Sequence, residues 1–287
     1  ARPGQVAQPL NGLQWWCSAQ TAAWSWNPRP FPGVWLLVAL LAVLFWRLGR
    51  ASDDSDGESG PSRDRRAGWA WFGGVLALWV ALDWPVGALS GYLASAHMLQ
   101  YLLTALVAPP LLLLGVPSGA WGRLAARPRA VRVLGFVTHP LIAIAIFQLI
   151  LYYTHLPSVV DRLMVTQLGS LAIDTLWLGG GLLFWWPVVA PVPDRPRFGY
   201  PLKMGYLFLS TVLNTMPYAF LTFGELPFYG VYELAPPVGI LGAREDQQVA
   251  GLLMKIGGGI VLWTAITIQF FLWFNREGEA EGPVPSA

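Results

Sequence analysis

Charge is what this sequence has least of. Asp, Glu, Lys and Arg together make up 12% of its 287 residues, about half the share of an ordinary soluble domain. So few charges cannot cover a soluble globule of this size, which excludes a disordered chain and a typical cytosolic enzyme. Cysteine is nearly absent too. The single Cys17 excludes an internal disulfide framework and any cysteine-pair metal site. There is no P-loop, no G-x-G-x-x-G, no H-E-x-x-H and no nucleophile elbow. No internal repeat is evident. The net charge of +2 is small, and the cations are scattered over loops, so nucleic acid is not a partner.

What is abundant is apolar. Hydrophobic residues reach 55% and aromatic residues 14%, with a mean hydropathy of +0.49. The expected fold class is all-α, a polytopic membrane helix bundle. Long apolar runs predict about seven transmembrane helices near 31–48, 68–88, 95–116, 132–154, 168–190, 201–223 and 248–273. Most reach the roughly 20 residues that cross a bilayer core. The runs are continuous rather than alternating, which excludes membrane-spanning strands. Trp35 and Trp46 are placed to anchor the two ends of the first and shortest run, and the aromatic stretch before it suits an interfacial belt. Pro109, Pro110, Pro187 and Pro217 predict kinks or buried helix ends. The triplets Gly179–Gly181 and Gly257–Gly259 predict close helix contacts rather than phosphate loops.

The cations orient the spans. The second connection carries Arg47, Arg50, Arg63, Arg65 and Arg66, the next but one Arg123, Arg127, Arg129 and Arg132, and the next such Arg195, Arg197 and Lys203. The connections between these hold none or one. The positive-inside rule then puts the N-terminus outside and the C-terminus in the cytoplasm. The expected organisation is a periplasmic segment 1–30, a seven-helix domain 31–273 and a cytoplasmic tail 274–287, in a bacterial inner membrane. The chain begins at Ala1 ahead of a polar stretch, which a removed signal peptide or a shortened chain accounts for equally. The acidic Ser52–Gly60 reads as a flexible linker.

Ionisable residues at membrane depth are costly and mark function by default. His97 and Met98 open the third span on the outer side, with Tyr101 one turn deeper on the same face. His155 closes the fourth span on that side. Asp174 lies roughly 9 Å into the fifth, and Lys255 roughly 10 Å into the seventh, below Asp246, Gln247 and Gln248. Met216 and Met254 share this layer. His139 sits at the opposite end and reads as a helix-start residue. One reading is a copper site, since imidazole and thioether suit copper, with His97, Met98, His155 and Asp246 as ligands. The other is a structural hydrogen-bond network, in which Tyr101, Asp174, Lys255 and Gln247 take part. Asp174 and Lys255 have opposite charge and similar depth, which predicts an ion pair between the fifth and seventh helices.

The segments S-A-H-M-L-Q-Y-L-L-T-A-L-V-A-P-P-L-L-L-L-G-V-P (95–117), T-H-P-L (138–141), Y-T-H-L-P (153–157), G-L-L-F-W-W-P-V (181–188), A-F-L-T-F (219–223) and D-Q-Q-V-A-G-L-L-M (246–254) occur in order over most of the chain. In this the sequence resembles the CtaG-type cytochrome c oxidase assembly factors of bacteria. The resemblance implies a non-enzymatic membrane protein serving haem-copper oxidase assembly, with a part in copper supply. It carries over His97, Met98, His139, His155, Asp246 and Gln247. This chain departs where the family pattern has histidine, at Tyr101 and near Asp174, and it has Lys255 where a large apolar residue is usual. Three functions are then open: oxidase assembly with copper handling at the outer face, a metal-free accessory subunit of a respiratory complex, or a transporter with Asp174 and Lys255 along its path. The expected partners are oxidase subunits and membrane lipids, and the only expected cofactor is copper.

Overall fold

The computed structural model describes residues 13–53, 61–190 and 198–280. Most of the predicted linker Ser52–Gly60, residues 1–12 of the N-terminal segment, Arg195, Arg197 and the end of the tail lie outside the described residues. Among the described residues there are helices and connecting loops but no strands.

The first predicted run is α1 (Pro32–Asp53), and the second is α2 (Pro61–Leu82) with the short α3 (Val86–Leu89). The third is one continuous rod made of α4 (Ala94–Tyr101), a π-helical stretch Leu102–Val107, and α5 (Ala108–Leu114). Pro109 has no N–H to offer the Ala105 carbonyl, so the normal α ladder is interrupted there. The outlying helices α6 (Ser118–Ala125) and α7 (Pro128–Val137) come next, then α8 (Pro140–Thr154) and α9 (Pro157–Leu163). The fifth run is α10 (Gln167–Val189). The sixth divides into α11 (Tyr200–Leu213) and α12 (Thr215–Phe223). After α13 (Gly230–Glu233), the last run is α14 (Ala243–Leu252), a π-helical turn Leu253–Gly257 and α15 (Gly258–Ala280).

Five segments are long and apolar enough to cross a membrane: Pro32–Arg50, Arg65–Leu89, Ala94–Leu114, Gln167–Val189 and Ala243–Glu277. A sixth appears if α7 and α8, bent by 59°, count as one span. The bend falls at Thr138–His139–Pro140, because the residue before a proline is pushed out of the helical region. The predicted 201–223 span is interrupted at Asn214, so neither half is long enough alone. Large apolar side chains such as Leu40, Phe136, Leu149 and Ile260 stand exposed around the bundle. Such a surface suits lipid tails and not water, and the chain is a multi-pass membrane protein.

The bundle centres on α10. Trp177, Phe184 and Ile173 are fully buried against Tyr101, Leu106 and Phe147. At Gly181 a Cβ would collide with the Ala105 carbonyl and come within 2.7 Å of the Pro109 ring. The carbonyl that Pro109 leaves unbonded is thus covered by α10, and only glycine allows that approach. At Gly257 a Cβ would sit 2.6 Å from the Leu102 side chain. Gly179 and Gly259 meet nothing, so each triplet makes a close contact through part of its length only.

Residues 13–31 form a strap across one end of the bundle. Gln167 accepts from the Trp15 and Trp16 backbone N–H groups at 2.7 and 3.0 Å. Ala19 N donates to Met164 O, and Gln20 N to Gly91 O. Phe31 N donates to Asp83 Oδ1 at 3.0 Å. A second apolar cluster forms under this strap from Trp16, Cys17, Phe31, Val34, Trp71 and Leu78.

Candidate functional site

Helix α4 carries His97, Met98, Gln100 and Tyr101, all buried. Its first turn has no side-chain cap of its own. Asp246 of α14 supplies one: its carboxylate accepts from Ala94 N at 2.6 Å, from Ser95 N at 3.3 Å and from the Ser95 hydroxyl. A carboxylate at a helix N-terminus satisfies orphan N–H groups and the positive end of the helix dipole. This cap fixes the start of the helix that bears the imidazole and the thioether.

His155 lies just past the end of α8 and is buried against α4. Its Nδ1 donates to the Leu151 carbonyl at 2.7 Å. That bond leaves Nε2 as the lone-pair nitrogen, and Nε2 faces the Met98 Sδ at 3.3 Å. His97 is held the same way round: its Nδ1 meets the Gln100 carbonyl oxygen at 3.3 Å, and its Nε2 has no partner. Both imidazoles rest on the Trp177 ring, with centroids at 4.8 Å for His97 and 6.3 Å for His155. Tyr101 packs edge-on to both His155 and Trp177, at 5.4 and 5.2 Å. Trp177 is itself fixed by an Nε1–H bond to Thr154 at 2.9 Å.

The expected set therefore gathers in part. His97, Met98, His155 and Tyr101 converge on Trp177. Asp246 does not join them as a ligand, since its oxygens are committed to the start of α4. Among the described residues no three His, Cys, Asp or Glu form a metal-holding group. The donor set is two lone-pair imidazole nitrogens and a thioether. That is soft, low-coordinate chemistry, and the orphaned Nε2 of His97, 1% exposed, is the atom that lacks a partner. Imidazole and thioether are donor types that copper accepts.

The predicted Asp174–Lys255 ion pair does not form. Asp174 is buried and accepts from Trp16 Nε1 at 2.8 Å, with the Cys17 thiol at 3.9 Å. Lys255 is exposed, its ammonium 4.5 Å from the centroid of the Tyr218 ring. The two residues contact different elements, Asp174 the N-terminal strap and Lys255 the α12 ring of Tyr218. A transport path lined by both is not present, and the single predicted network is really three. Tyr101 belongs to the imidazole cluster. Asp174 belongs to the strap. Gln247 accepts from Phe228 N at 2.6 Å and donates to Leu226 O at 3.3 Å, holding the loop after α12. Met216 is exposed and Met254 is buried, and of the methionines it is Met98 that meets an imidazole. His139 lies exposed at the other end of α8, roughly 24 Å along the helix from His155.

Sequence reasoning missed the residues that enclose the cluster. Trp177 reads as one apolar residue among many. Trp16 and Cys17 lie in a polar stretch that suggests a water-facing tail, yet Cys17 is 1% exposed. Its thiol receives an N–H bond from Gln100 at 3.4 Å, and the same Gln100 holds His97. Burial, with the Asp174 carboxylate beside it, pushes the Cys17 thiol up to about 12. Tyr229 donates to the His155 carbonyl at 3.1 Å. Burial and then Asp161 raise its hydroxyl above the ordinary tyrosine range.

A family model described as cytochrome c oxidase caa3 assembly factor matches residues 39–276. Two curated relatives are uncharacterized proteins of Mycobacterium bovis and Mycobacterium tuberculosis. Each is 27% identical over 154 residues, covering 48% of this chain and 23% of the relative. The match thus spans less than a quarter of their length. No solved structure matches.

Proposed function

This chain belongs to the cytochrome c oxidase caa3 assembly factor family, and from that we propose that it serves oxidase assembly by holding copper, as cargo, at the outer face of a bacterial inner membrane. The proposed topology has seven spans, with the N-terminus outside and the C-terminus in the cytoplasm. The alternation of arginine-rich and arginine-poor connections supports it. The α7–α8 pair and the α11–α12 pair are then each one bent or broken span.

The observation that carries the copper reading is the His155–Met98 contact. An imidazole whose Nδ1 is tied to a backbone carbonyl presents Nε2 to a thioether at 3.3 Å, and a second imidazole beside it has a free Nε2. His97, Met98 and His155 are the proposed copper-binding residues. Trp177 and Tyr101 exclude water from them. Three neutral soft donors favour reduced copper and leave its charge uncompensated, which suits release to an oxidase subunit more than permanent storage. No bond of any substrate is made or broken, so the role is binding and transfer without turnover.

A second reading, a metal-free accessory subunit, is favoured by one observation. Tyr101 fills the place where the resemblance implies a third imidazole. The two readings part on a copper titration of the purified protein against a competing chelator. Stoichiometric copper that is lost in His97→Ala and His155→Ala upholds copper handling. A parent protein that takes up none, yet co-purifies with oxidase subunits, ends it in favour of the subunit reading. Normal oxidase content in a deletion strain would end the assembly role itself.

A further inference from the structure

Lys255 is a cation inside the last span with a tyrosine and no carboxylate beside it among the described residues. It lies seven residues past Gln248, where the last apolar run begins, hence about 10 Å into the membrane. The π-helical turn Leu253–Gly257 carries it, and such turns re-aim side chains, often where a helix has a task. The side chain is exposed. Its neighbours on the same flank are apolar and also exposed, among them Leu252, Ile256, Met216 and Phe220. Among the described residues no carboxylate stands in ion-pair range of it. Its contact is the Tyr218 ring, 4.5 Å away.

The flank has further polar groups nearby. Asn214, one helical turn before Tyr218, accepts from Gln148 Nε2 at 2.9 Å. Gln148 is 7% exposed, and its carbonyl oxygen has no partner. An ammonium and a phenol ring thus share an otherwise apolar flank at membrane depth, with the Asn214 amide one turn away and Gln148 buried behind it. Lipid tails cannot satisfy the ammonium.

We propose that the Lys255–Tyr218–Asn214 face is a docking surface for a partner's transmembrane helix that carries an Asp or Glu at matching depth. Charge complementarity selects this occupant. A carboxylate brought against the ammonium removes two lone intramembrane charges at once, and ion pairing is how such residues are ordinarily satisfied. A lipid phosphate would have to be reached from about 10 Å below its own level. The assembly reading above contributes only the partner's identity, an oxidase subunit, and the surface itself stands on geometry alone.

The test is photo-crosslinking in native membranes, with a photoactivatable phenylalanine analogue at position 256 and Lys255 kept. The expected adduct maps to one transmembrane peptide containing an Asp or Glu. Lys255→Leu lowers its yield by about tenfold or more, Lys255→Arg retains it, and Lys255→Glu is rescued by converting the partner's acid to Lys. Size-exclusion profiles and copper stoichiometry of the Leu variant stay at the parent level, which separates this surface from the fold and from the imidazole site. Adducts to lipid alone, or a protein adduct indifferent to Lys255→Leu, overturn the proposal. An adduct that obeys the charge swap but belongs to a protein outside the oxidase upholds the surface and ends the assembly reading.

Discussion

Replacing Asp246 distinguishes a helix cap from a metal ligand. In Asp246→Ala the N–H groups of Ala94 and Ser95 and the Ser95 hydroxyl lose their acceptor. The site is buried, with Asp246 2% exposed, so water cannot readily replace the carboxylate. A lost cap costs about 0.5–2 kcal/mol, and a buried donor left unsatisfied about 1–3 kcal/mol. The expected destabilisation is therefore about 3 kcal/mol. Asp246→Asn keeps an acceptor oxygen in the same place and loses the interaction of the charge with the helix dipole, about 1 kcal/mol. Equilibrium unfolding of the purified protein in mixed micelles, followed by tryptophan fluorescence, measures both. The Asn variant should keep its copper stoichiometry while the Ala variant weakens copper binding, because the start of α4 loosens beneath His97. Equal losses of stability in the two variants would refute the cap. So would an Asn variant of parental stability that no longer binds copper.

Further outcomes are expected from the same contacts. Gly181→Val should abolish folded yield, seen as loss of the monodisperse peak on size exclusion, because any Cβ there meets the Ala105 carbonyl; Gly179→Ala should leave yield unchanged. Cys17 should resist maleimide at pH 8 in the folded protein and react on unfolding, since its thiol is neutral up to about 12. The unfolded thiol ionises from about 9 while the folded one stays neutral to about 12, so this group's contribution to stability is full below pH 9 and declines between those values. Cys17→Ser should flatten that decline in a pH series of unfolding curves. Gln167→Ala removes the acceptor of two strap N–H groups and should speed Cys17 labelling by about tenfold or more, as about 1.4 kcal/mol of strap stability is lost. Tyr101→His places a third imidazole against His155 and Trp177 and should tighten copper binding in the same chelator competition.

Depth along a helix was legible in the sequence, and rotation about its axis was not. Counting residues from the ends of apolar runs placed Asp174 and Lys255 at one level, and it placed His97 and His155 at one end of the bundle. The azimuth of Lys255 depends on the π-helical turn Leu253–Gly257, which adds a residue to one turn and shifts the phase of the rest of the helix. No 3.6-residue pattern anticipates that, and the predicted ion pair does not form. The bend before Pro140 was legible because proline acts locally. The break at Asn214 was legible for a like reason: Pro217 has no N–H for the Leu213 carbonyl, which accepts from the Tyr152 hydroxyl instead. Asp246 looked like a ligand because a carboxylate near imidazoles suits one. Its actual role depends on a backbone terminus 152 residues away, and sequence spacing does not report on that. The burial of Trp16 and Cys17 was not legible for the same reason: nothing in the N-terminal stretch shows that these two side chains pack against a distant helix.

The strap has a consequence in time. Trp16 and Cys17 are seated by Asp174, 158 and 157 residues further along the chain. Chains are made at about 5–20 residues per second, so roughly 8–30 s separate the synthesis of the thiol from the synthesis of its seat. Throughout that interval the one cysteine of the protein is unshielded, with an ordinary thiol's reactivity. An oxidant or soft metal ion meeting the nascent chain would reach Cys17 before α10 closes over it. A thiol modified in that interval would not fit beneath the strap, where Cys17 is 1% exposed.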